Sequence, residues 1–134
     1  MIQRYSVKIF NDSFERCSRD PAFLERFYEV FISSNDEVRE KFKNTDMESQ
    51  KGVLRISLSY MMLAHQTPNV LDKLALRHNT HNLDIKPHLY STWLDSMVHA
   101  VKLTDLEFDD GVEQAWREMM QPGIDYIISK YDDV

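Results

Sequence analysis

Cysteine, glycine and proline are all scarce in this chain of 134 residues, which holds one, three and four of them. The lone Cys17 has no partner for an internal disulfide, so the fold must rest on packing. With so few glycines and prolines, the sequence lacks the turn chemistry that a sheet-rich fold consumes. No alternating strand pattern, internal repeat or low-complexity tract is present either, and helices are the expectation. Long apolar runs are also missing. The opening MIQRYSVKIF has no uninterrupted apolar stretch of the kind a signal peptide or membrane span needs, so the chain is expected to be cytoplasmic with no membrane partner. Positive charge is in deficit, with 16 Lys and Arg against 22 Asp and Glu and a net charge of −6. Nothing here could neutralise a run of phosphates, which weighs against nucleic acid as a partner.

What is present is a normal globular balance, 43% apolar and 11% aromatic, at a length that suits one domain over 1–134. A first amphipathic helix is expected to carry Cys17 as a small buried residue. Asp20-Pro21 then reads as an N-cap before a first-position proline, and Phe23, Leu24, Phe27, Tyr28 and Phe31 follow at three- and four-residue steps. The spacing predicts a helix over 21–34. Thr45-Asp46-Met47-Glu48 resembles a capping box and opens a helix predicted over 46–65, with Gln50, Val53, Leu54, Ser57, Leu58 and Met61 in period. After Pro68 a short segment bearing Val70, Leu71, Leu74 and Ala75 ends close to His78, where Asn79, Thr80 and Asn82 dilute the pattern. Pro87 starts another helix, with Tyr90, Trp93, Leu94, Met97, Val98 and Val101 on one face. Thr104-Asp105-Leu106-Glu107 reads as a second capping box before a final helix, which should kink near Pro122-Gly123. The architecture predicted is all-α, with six or seven helices.

Four stretches, FYEVFISSNDEVREKF (27–42), TDMESQKGVLRISL (45–58), LALRHNTHNLDIKPHLYSTWLDSMV (74–98) and AWREMM (115–120), resemble in order and spacing the single-domain bacterial globins. The resemblance covers the chain from about Phe14 to Tyr131, and implies a globin fold around a pocket for haem b. His78, at the end of a short helix before a proline-started one, falls at the iron ligand's place, and Phe42 at that of the phenylalanine that wedges the haem. His81, one turn later in an Asn-rich loop, reads as a surface residue, as do His65, His88 and His99. A neutral imidazole needs its other ring nitrogen held, and the Leu74 carbonyl, one turn back, is the expected partner.

On the ligand-binding side the resemblance implies Tyr28, Gln50 and Leu54. Matching Phe42 without gaps brings Tyr28 to the pocket; matching the helix's last aromatic to Phe31 brings Phe27 there instead, and both registers stay open. Gln50 and Leu54, four apart, share one helical face. Tyr90 matches a tyrosine that in flavohaemoglobins helps polarise the iron-bound histidine together with a carboxylate from the last helix; here no acid after Trp116 falls at the matching place. Trp93, Trp116 and the methionines read as core filling.

The implied function is reversible binding of a diatomic gas (O2, NO or CO) at a His-ligated iron. An alternative is enzymatic, as an NO dioxygenase or nitrite reductase. With no Gly-rich strand-to-helix turn to bind FAD or NADH, it would depend on a separate reductase. A gas or redox sensor acting through a partner protein is a further alternative, against which the chain offers no output domain. A monomer or a homodimer would fit equally.

Overall fold

The phenylalanines of the second predicted helix recur at helical spacing because one face of it must be buried, and that face organises the molecule. In the computed structural model, which describes residues 4–132, this helix (α2, Phe23–Ser34) buries Phe23, Leu24, Phe27, Tyr28 and Phe31 and lies along α6 (Leu89–Thr104). The first helix, α1 (Arg4–Ser18), packs in the same way along α7 (Asp110–Ser129). Between these pairs run α3 (Asp36–Phe42), α4 (Met47–Met61), a short 3-10 turn over Pro68–Leu71, and α5 (Asp72–His78). The described residues contain seven α-helices and no strand, and no helix among them is long and apolar enough to cross a membrane.

Helix boundaries follow the capping side chains. Asn35 accepts from the Val38 N–H at 2.8 Å and starts α3, and Asp46 accepts from Glu48 and Ser49 and starts α4. Two sequence expectations move here. The cap of α4 is Asp46 rather than Thr45, and that helix ends at Met61, not near 65, in a run of tight turns before Pro68. Helix α2 opens at Phe23 instead of Pro21, after a tight turn in which the Phe23 N–H bonds the Asp20 carbonyl at 3.1 Å and the Asp20 carboxylate accepts from the Ala22 N–H and Arg26.

The second capping box is a larger correction. Asp105 is not the start of α7, whose cap is Asp109, accepting from the Val112 N–H at 2.9 Å. Asp105 is 2% exposed and closes α6, where it accepts from Arg16 at 2.6 and 2.9 Å and from Ser13 at 2.6 Å. Ser13 in turn accepts from the Trp116 indole N–H at 2.9 Å, so the tryptophan is anchored as well as packed, with Phe10 at 4.7 Å between ring centroids. Cys17 is fully buried beside this network, and burial pushes its thiol up to about 12.

Helix α7 continues through Pro122 without a break, although the proline withholds the N–H that would reach the Glu118 carbonyl. The next residue, Gly123, is where α4 and the 3-10 turn press closest. A Cβ there would lie 2.6 Å from Met61 Sδ and 3.1 Å from Leu71 Cδ1. Met61, at this crossing, also borders the cavity described next.

Candidate functional site

A cavity of about 350 Å³ opens between α4, α5, α6 and the lower part of α7, within the range of about 300–1,000 Å³ usual for small-molecule and cofactor pockets. Most of its wall is apolar, including Phe31, Leu54, Leu58, Leu74, Ile124 and Ile127. Two hydrogen-bonded polar pairs stand among its polar lining residues.

One is at the end of α5. His78 lines the cavity, and burial, with a smaller contribution from the neighbouring Arg77 charge, lowers its pKa to about 4. The imidazole is therefore neutral at physiological pH, the form in which it can ligate a metal. Its Nδ1 lies 3.1 Å from the Tyr90 hydroxyl on α6, so the expected partner, the Leu74 carbonyl, is replaced by a side chain from another helix. Burial raises the Tyr90 phenol well above its ordinary value. With the phenol oxygen accepting from Nδ1–H, the lone pair is left on Nε2.

The loop after His78 explains the cluster of Asn residues. Buried Asn79 accepts through Oδ1 from the His81 N–H at 3.0 Å and from Asn82 Nδ2 at 3.1 Å. Asn82 also donates to the Leu76 carbonyl at 2.8 Å, which closes the end of α5. His81 is carried to the surface by this turn. Asp84 takes φ 52°, a conformation that aspartate tolerates better than most residues, and Ile85 N–H returns to the His78 carbonyl at 3.0 Å. The Asp84 carboxylate accepts from Tyr131 and from Lys86, and the Thr80 N–H bonds the Tyr131 carbonyl at 2.8 Å.

The second polar group is the pair Tyr28 and Gln50. Both line the cavity, and Gln50 Nε2 donates to the Tyr28 oxygen at 3.2 Å. The phenol proton has only a long 3.5 Å contact, to the Gln50 carbonyl. Burial pushes the Tyr28 phenol up to about 12, so it stays a donor across the physiological range. The choice left open between Tyr28 and Phe27 is decided for the cavity wall: Phe27 is fully buried behind it, stacked on Phe31 and edge-on to Trp93, and does not line the space. Phe42 lines it, 5.6 Å from the Tyr28 ring centroid.

Each of Phe42, Leu54, Leu74, His78, Tyr90, Tyr28 and Gln50 thus meets this one cavity. Sequence reasoning missed its far wall, Ile124 and Ile127, and two cations, Lys41 and Arg77, that also line it. A final helix is expected from the sequence, but nothing in it says which neighbour Ile124 and Ile127 face. Among the described residues no three His, Cys, Asp or Glu side chains come together to hold a metal ion, so a metal here would need a cofactor supplying its other ligands.

No protein-family model and no curated protein sequence matches the chain. Among solved structures it is similar to a protein from Pseudomonas aeruginosa that is structurally highly homologous to a human haemoglobin. The TM-score is 0.92 and the identity 35%, over 96% of this chain and 99% of that one. At that extent and identity the relationship is one of family, and the chain belongs to the bacterial haemoglobin-like globins.

Proposed function

We propose that the cavity holds haem b, with His78 as the iron's ligand from the chain, and that the protein binds a diatomic gas (O2, with NO and CO as alternatives) on the side faced by Tyr28 and Gln50. The reading rests above all on one observation: His78 is a half-buried imidazole on the wall of an apolar cavity, with the Tyr90 hydroxyl 3.1 Å from its Nδ1. The residues present suit the group. A flat apolar macrocycle matches the leucine, isoleucine and phenylalanine walls, and Lys41 and Arg77 offer cations to its carboxylates. When bound, haem supplies an iron that takes one imidazole and leaves a position for a small ligand.

The chain's own side chains do the rest. Tyr90 fixes the His78 tautomer and ring orientation. The leucine-lined walls keep water away from the gas. Tyr28, its oxygen held by the Gln50 amide and its proton nearly unengaged, donates to a gas carrying partial negative charge. A bond of that kind contributes on the order of 1 kcal/mol or more, and about 1.4 kcal/mol is a tenfold change in release. Slow release suits scavenging or nitric oxide chemistry better than bulk transport, and turnover would draw electrons from a separate reductase.

The absorption spectrum of the purified protein reconstituted with haem tests the proposal. An intense Soret band that shifts when carbon monoxide is added to the reduced protein is expected. A protein that leaves added haem with the spectrum of free haem overturns it.

A further inference from the structure

The outward side of α4 is apolar and uncovered, with Val53 at the edge that it shares with the cavity. Ile56 is 61% exposed, Tyr60 47%, Leu63 46% and Val53 41%. These positions, with Ser49, Gly52 and Ser59, recur at three- and four-residue steps, so they form one stripe along the helix and the turn after it. A surface helix ordinarily carries its charge on this side. Here the charges flank the stripe along one edge: Glu48, paired with Lys51 at 2.8 Å, and Arg55 lie about 40° round from Gly52 and Ser59.

We propose that this face joins two copies of the chain in an antiparallel, two-fold symmetric dimer, with Ile56 on the axis and Tyr60 of each copy seated among Ser49, Gly52, Val53 and Ile56 of the other. Two features of the sequence favour a second copy over another partner. The first is size. Positions 49, 52, 53 and 56 are spaced as the four corners of a hole on a helix surface, and a hole with a glycine and a serine at its corners is wide enough for a tyrosine knob. A two-fold axis at Ile56 pairs the small residues at the start of the stripe with the bulky ones at its end, so each copy supplies both knob and hole. Gly52 is free to act as a floor, since a Cβ there would meet nothing within 4 Å. The second is charge. Copies of a chain with net charge −6 repel through most of their surface, yet no aspartate or glutamate occurs between Glu48 and Asp72, so two copies meet here without opposing carboxylates.

A contact built on one helix pair lies at the small end of specific interfaces, below about 1,200 Å² in total, so association in the micromolar range or weaker is expected. Sedimentation equilibrium of the full chain should show a mass rising with concentration toward twice 15.9 kDa. Ile56→Glu, which sets two like charges together on the axis, should hold the protein at the single-chain mass. Gly52→Gln fills the hole from a position with open space, so it should leave the circular dichroism unchanged and weaken association by roughly tenfold or more, about 1.4 kcal/mol. Ile56→Cys should cross-link to itself under mild oxidation far faster than Leu106→Cys, a fully exposed control in the turn between α6 and α7. A wild-type chain still monomeric at roughly millimolar concentration overturns the proposal. So does a dimer indifferent to both Ile56→Glu and folded Gly52→Gln, or equal cross-linking of the two cysteine variants.

Discussion

Gln50 and Tyr28 are bonded in one direction: the amide donates to the phenol oxygen at 3.2 Å, while the phenol proton finds only a 3.5 Å contact in return. A phenol held firmly at its oxygen and only loosely at its proton can turn that proton to a polar atom entering the cavity.

Tyr28→Phe should therefore accelerate oxygen release by roughly tenfold or more, with carbon monoxide affected much less, because its outer atom carries little charge. Stopped-flow dissociation of both gases from one preparation checks this. An equal change in both would indicate a general opening of the pocket. Gln50→Leu should act in the same direction and more weakly, since it loosens the phenol without removing it.

His78→Ala should abolish stable haem binding, while His81→Ala, whose side chain is at the surface, should leave the spectrum nearly unchanged. The reverse pattern would mean that the iron ligand lies one turn later.

Tyr90→Phe keeps the ring and removes the hydroxyl that meets His78 Nδ1. Loss of an outer partner of this kind typically weakens metal affinity about 10- to 100-fold. Transfer of haem to an excess of a haem-scavenging protein should quicken accordingly, with little change in helix content.

Asp105 gives a pH dependence remote from the cavity. Burial pushes its carboxyl up, but Arg16, Ser13 and the Glu107 N–H outweigh it and hold the group below the usual carboxylate value of 3.8. The folded state thus binds this proton less readily than the unfolded one. The stabilisation is complete above the unfolded value and disappears as pH falls through the folded one. Asp105→Asn should cost about 1–3 kcal/mol near neutrality, because the hydrogen bonds from Ser13 and from a partly exposed Arg16 lose their charged acceptor. It should also flatten the decline in stability between about pH 5 and pH 3, read from urea titrations at each pH.

Gly123→Val should overfill the crossing of α7 with α4, at a cost of about 1–3 kcal/mol, because its first carbon already overlaps Met61 Sδ. In a Met61→Ala background most of that cost should vanish, and thermal unfolding of the four proteins gives the coupling. Met61 also lines the cavity, so the single variant should narrow it.

The helical face of α2 was legible because five aromatic and aliphatic residues repeat at one period, and burial along α6 turns that repeat into structure. Which of two adjacent residues, Phe27 or Tyr28, meets the cavity was not, since neighbours on a helix lie about 100° apart and only the packing partner fixes the rotation. His78 could be singled out from its place before Pro87, yet its partner Tyr90 sits twelve residues away on another helix, and local geometry suggested the Leu74 carbonyl instead. Asp105 misled for a related reason. Thr-Asp-Leu-Glu has the local grammar of a helix start, and nothing nearby announces that Ser13 and Arg16, about ninety residues earlier, claim the carboxylate.

The cavity takes its walls from both ends of the order of synthesis, from Tyr28 to Ile124 and Ile127, and its histidine-bearing loop is tied to Tyr131. A nascent chain that has exposed everything through α6 has His78, Tyr90, Tyr28 and Gln50 in hand but lacks one side of the chamber. Without Ile124 and Ile127 its apolar interior is open to water on that side. The chamber is therefore complete only once α7 has docked, so a single enclosed space depends on side chains about a hundred residues apart in the chain.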